Sequence, residues 1–170
     1  ILEESPASFS FCSLSYVSDR TKLVAFARLL GYLLADGSIP VVSNHPQCAC
    51  IYLSHQLDVT AAQNDIEILC GQRPDPSWIV HPDDDGDQKM RDFVWMLNLP
   101  TSIVALLSSA GVKSGRKIDH AQVIPDVIRN APVLIQREFL AAYWGGNGTA
   151  PCVDYTDHHH HPTASLASQF

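Results

Sequence analysis

The apolar positions of this chain fall into blocks whose period changes along the sequence. Within residues 20–36, Leu23, Phe26, Ala27, Leu30 and Leu34 recur at helical spacing, while Leu29, Leu33 and Ala35 fill the opposite face. A helix apolar on all sides is buried on all sides. Ser18 or Asp19 stands where a cap would open it near Arg20. Beyond Gly37, residues 38–42 and 47–54 predict a strand pair around an Asn44-His45-Pro46 turn, and residues 9–16 predict one earlier strand. Helical spacing returns at 57–70 through Val59, Ala62, Ile66 and Leu69, and stops before Gly71. Residues 78–81 and 91–97 predict a second strand pair, joined by an acidic turn at 83–87. Pro100 opens a helix over 101–110 that ends at Gly111, a short helical piece follows at 124–129, and Pro132 opens the last helix. Helix, two strands, helix, two strands, helix is an α+β order, which places helices on one face of a sheet and leaves the other open.

Composition narrows this picture. A length of 170 residues with 46% hydrophobic content supports one good core or at most two small ones. The longest apolar stretch, 23–35, is interrupted by Arg28 and too short to span a bilayer, so no membrane partner is expected. The chain has no initiating Met and no signal-peptide pattern, which leads us to expect an excerpt of a longer intracellular protein, cytoplasmic or nuclear rather than secreted. Its five cysteines are odd in number and lack paired CxxC spacing, which reads as reduced thiols. A formal charge of −7 counts against a nucleic-acid partner in the sum. Its distribution matters more, because Lys113, Arg116 and Lys117 cluster in one loop.

One segment occurs twice. Leu29-Leu30-Gly31-Tyr32-Leu33-Leu34-Ala35-Asp36-Gly37 returns, 111 positions on, as Leu140-Ala141-Ala142-Tyr143-Trp144-Gly145-Gly146-Asn147-Gly148. Leu29/Leu140, Tyr32/Tyr143, Gly37/Gly148 and Pro40/Pro151 are shared, and Gly31/Ala142 and Ala35/Gly146 stay small. A repeat this widely spaced implies two equivalent units rather than a solenoid. The chemically loaded position differs: Asp36 in the first copy, Asn147 in the second.

These copies, together with Leu99-Pro100, the loop 111–118, the run Ile124-Pro125-Asp126-Val127-Ile128 and the lead-in Arg137-Glu138-Phe139-Leu140, resemble the LAGLIDADG homing endonucleases, in particular the endonuclease domains found inside inteins. The likeness spans roughly residues 21–151. It implies an αββαββα unit followed by the motif helix of a second, truncated unit. Residues 1–19 would lead in, 20–131 would form the first half-domain, and 132–170 would hold the second motif helix and a tail. Only 22 residues follow Gly148, so the rest of the second half-domain is expected elsewhere in a full-length chain. Protein splicing by this chain is not expected, because no nucleophile opens it and it ends Ser168-Gln169-Phe170.

The resemblance also implies a site. The two motif helices would pack at the centre of a pseudo-twofold pair, with Gly31, Ala35, Ala141, Ala142, Gly145 and Gly146 allowing close backbone approach. Asp36 and Asn147, flanked by Gly37 and Gly148, would then reach the scissile phosphates and hold Mg2+ or another divalent cation. Lys113 or Lys117 would be the catalytic-region lysine, and Lys113, Arg116 and Lys117 would contact double-stranded DNA. The implied activity is site-specific double-strand DNA cleavage, weakened or limited to one strand by Asn147. The rivals are a non-cleaving nucleic-acid-binding module, such as an RNA maturase or a regulator on the same fold, and an inactive remnant.

Plainer readings stand beside these. Asp36 can be a solvated helix-end residue, and the basic loop a solvated loop. The run His158-His159-His160-His161 reads as a polar tail, and the acidic turn 83–87 lacks calcium-loop spacing. Trp78 and Trp95 read as packing residues. Of the strand at 47–54, one face presents Gln47, Ala49, Ile51 and Leu53, which offer little hydrogen bonding to base edges.

Overall fold

The computed structural model describes residues 9–42, 45–46, 49–80, 93–115 and 123–147. Its centre is α1 (Arg20–Asp36), whose buried residues Leu23, Ala25, Phe26, Ala27, Leu29, Leu30, Gly31, Tyr32, Leu33 and Ala35 go all the way round, as its pattern predicts. Asp19 occupies the cap position, but its carboxylate does not cap the helix. It turns back and accepts from the Ser15 backbone N–H at 3.2 Å and the Ser18 hydroxyl at 2.5 Å. The expected strand at 9–16 is a tight hairpin instead, β1 (Ser10–Phe11) against β2 (Leu14–Ser15), which turns through Cys12 at φ 53°. Phe11 stacks on Phe26 at 4.9 Å and so ties the hairpin to α1.

After α1 the chain enters β3 (Gly37–Ser38), then a small hairpin of β4 (Val41–Val42) and β5 (His45–Pro46), and returns through β6 (Ala49–Leu53). α2 (Gln56–Cys70) stops where Gly71 takes the left-handed φ of 70°, a conformation that disfavours side chains. β7 (Ser77–Val80) and β8 (Phe93–Leu99) complete an antiparallel sheet of order β3-β6-β8-β7. α3 (Thr101–Ser109), α4 (Asp126–Arg129) and α5 (Val133–Asn147) follow. The described residues thus form an α+β fold with antiparallel sheets and five helices. None of these helices is long and apolar enough to cross a membrane.

Sheet register decides which face meets the helices. Ala49, Ile51 and Leu53 pair with Leu99, Leu97 and Trp95, and the first five of these are buried on the side contacted by α1 and α2. Ser38, Cys50, Tyr52, Met96, Asn98 and Ser77 share the other face. The side of β6 carrying Ala49, Ile51 and Leu53 is therefore core, and the opposite side carries hydroxyl, thiol and amide groups. Trp78 pairs across the strands with Trp95, as packing residues do, although Trp78 is largely exposed. The acidic turn at 83–87 and the His run lie outside the described residues.

Candidate functional site

Small residues bring α1 and α5 together. A Cβ placed on Gly31 would lie 2.5 Å from the Phe139 carbonyl oxygen, 2.9 Å from the Ala142 Cβ and 2.9 Å from the Tyr143 nitrogen. Any side chain there would force the helices apart. One turn earlier, Arg28 on α1 reaches Glu138 on α5 at 3.0 Å. Contacts that advance together along both helices make the pair parallel. Gly31 and Ala142 are equivalent positions of the repeat, so the two copies meet through the same residue of each, as a twofold axis along the pair requires.

The stripe that α5 buries runs through Ile135, Phe139 and Ala142. This phase corrects two expected interface positions. Ala141 is exposed, and a Cβ on Gly145 would meet nothing within 4 Å, because both residues stand about 100° off the stripe. Ala35 and Ala142 are buried as expected. Gly146 and Asn147 are the last residues of α5.

Parallel packing sends both helix C-termini, and hence Asp36 and Asn147, toward one end of the pair. Neither last turn carries a basic residue. Each C-terminus contributes a partial negative charge of roughly half an electron, to which the exposed Asp36 carboxylate adds a full one. The exposed Asp36 carboxylate is a hard oxygen donor of the kind a divalent cation would take. Among the described residues, no three His, Cys, Asp or Glu side chains converge on a closed metal cage.

Beside Asp36 lies a chain of polar contacts on the sheet face opposite α1 and α2. The Ser38 hydroxyl and the Cys50 thiol are 3.2 Å apart, and the thiol lies 3.2 Å from the Tyr52 hydroxyl, to which it donates. The contact with Cys50 pushes the Tyr52 phenol pKa up, aided by burial and by the negative charge of Asp36. The basic loop reaches the same edge. The Gly115 N–H donates to the Ile39 carbonyl at 2.9 Å, which fastens the loop bearing the exposed Lys113 to the strand segment just beyond Asp36. Arg116, Lys117 and Gly148 lie outside the described residues, and Gly37 is buried against Leu33.

Sequence reasoning missed one polar cluster. Asp65 on α2 is fully buried, and Arg28 clasps it with Nε at 2.8 Å from Oδ2 and with Nη2 on Oδ1, while Nη1 turns to Glu138. Burial pushes the Asp65 pKa up and the guanidinium pulls against that. The sequence signal was an arginine inside an otherwise apolar helix, with an acidic residue on the inner face of another.

A scan against protein-family models finds no match to this chain, and a search of curated proteins finds none.

Proposed function

We propose that this chain is a duplex-DNA-binding domain of the LAGLIDADG endonuclease type, of the kind carried inside inteins, in which Asp36 holds a divalent cation jointly with substrate phosphate and Asn147 weakens cleavage. The supporting observation is the in-register, parallel meeting of the two repeat copies through Gly31 and Ala142. A bound Mg2+ would activate the attacking water and stabilise the leaving 3′ oxygen. Asp36 supplies the anionic ligand. Asn147 is neutral, so the second half of the site lacks one negative charge for drawing in a cation. Lys113, on the loop fastened beside Ile39, would contact phosphate. On the sheet face opposite α1 and α2, Ser38, Tyr52, Ser77 and Asn98 would offer hydroxyls and an amide for base edges. The outer residues Leu134 and Trp144 of α5 would be covered by a second half-domain.

A non-cleaving nucleic-acid-binding module on the same fold is the second reading, favoured by the carboxamide at Asn147.

The test is a supercoiled plasmid library with randomised inserts, incubated with the purified protein in Mg2+. The wild type is expected to give nicked circles with little linear product, Asn147→Asp to raise the linear product, and Asp36→Asn to abolish both. Equal double-strand cutting by the wild type and Asn147→Asp, or activity that survives Asp36→Asn, contradicts the assignment. The non-cleaving reading predicts no cutting by either Asn147 form, with binding that weakens steeply as salt rises. An inactive remnant shows neither.

A further inference from the structure

The Arg28 cluster joins three helices, and its geometry is directional. Asp65 is buried on α2 with its two oxygens held by the Arg28 fork, which fixes the guanidinium plane. The remaining edge of the fork then points across the helix pair to Glu138. No buried side-chain nitrogen or oxygen among the described residues lacks a partner. Among the described residues, the buried positions around the cluster are apolar, with Gly31, Ala27 and Ala35 on α1 and Ile135, Phe139 and Ala142 on α5. An apolar seam specifies register weakly, and a single charged position specifies it strongly, even at a cost in stability.

We propose that Arg28, braced by Asp65, is a register lock: its bond to Glu138 selects the one alignment of α5 in which Ala142 faces Gly31. A slip of one turn carries Glu138 about 5.4 Å along the axis and out of reach of the guanidinium. The lock acts on the helix pair itself and holds whatever chemistry the helix ends perform. Arg28 is a positioning residue.

The register can be read with Gly31→Ala, because its added methyl clashes with α5 in the native alignment. In the wild-type background this change is expected to lower the melting temperature by about 5–10 °C. In the apolar variant Arg28→Met/Asp65→Leu/Glu138→Met, which removes every charge of the cluster, α5 is released to shift and the loss from Gly31→Ala falls below about half of that value. Glu138→Met, which removes the acceptor and leaves the Arg28–Asp65 pair intact, gives the same cycle in a milder background and decides the matter if the triple variant does not fold. A Gly31→Ala loss that is reduced in either background supports the lock. An undiminished loss in every background that folds reduces the cluster to an ordinary stabilising contact and overturns it.

Discussion

Leu33 on α1 and Trp144 on α5 hold equivalent places in the repeat, yet the first is 2% exposed and the second 43%. Leu23 and Leu134 differ in the same way, at 1% and 38%. Around α1 lie the β1–β2 hairpin, β6, α2 and α5, so every side of that helix finds apolar partners. α5 packs on α1 and α4, and buries one stripe. The second copy is partly adapted to that setting, since Phe26 is matched by Arg137 and Leu30 by Ala141. What the repeat preserves is the contact the helices make with each other, and what it relaxes is their outward faces.

Equivalent substitutions should therefore have unequal effects. The largest contrast is expected for truncation at the outer positions: Leu33→Ala should cost about 2–5 kcal/mol by urea unfolding, through lost burial and a cavity, and Trp144→Ala about 1 kcal/mol or less. Comparable costs would mean that α5 is enclosed as fully as α1. Next comes a contrast of sign. Gly31→Ala should destabilise by about 1–3 kcal/mol because α5 backbone occupies the space its methyl needs, whereas Gly145→Ala should stabilise by about 0.5–1 kcal/mol, since helical glycine carries an entropic cost and nothing lies nearby.

The smallest effect concerns Tyr32, whose hydroxyl donates to Asp58 at 3.5 Å and whose pKa is pushed up to about 12, mainly by burial and then by the charge of Asp58. A phenol whose pKa is raised on folding contributes stability that is complete below its unfolded value of 10.0 and is lost as pH climbs toward about 12. Tyr32→Phe should flatten the decline in stability across that alkaline window and change little at neutral pH. A variant with the same alkaline slope as the wild type would show that the phenol carries no such linkage.

The elements governed by local chemistry were legible in the chain. The period of α1, the glycine stop at Gly71 and the proline openings at Pro100 and Pro132 placed four helices to within a residue or two. The hairpin at Cys12 was not legible, because it needs a positive φ at a non-glycine residue. The two faces of β6 could not be ranked from alternation alone, since Ala49, Ile51 and Leu53 read as a weak DNA face until the sheet register put them beneath α1. The repeat pointed to a close helix approach and to Gly31 and Ala142, but it overextended the interface to Ala141 and Gly145, because small residues mark where approach is possible and helical phase decides where it happens. The Arg28 cluster was hidden for a different reason: its partners lie 37 and 110 positions away, beyond any local pattern.

The two copies run parallel and meet through equivalent residues. Selective methyl labelling of alanine, read by nuclear Overhauser spectroscopy, tests this arrangement directly. The predicted result is a strong cross-peak between the Ala142 methyl and the Gly31 Hα protons. An Ala142 methyl that instead contacts the first turns of α1, with no Gly31 cross-peak, would contradict it.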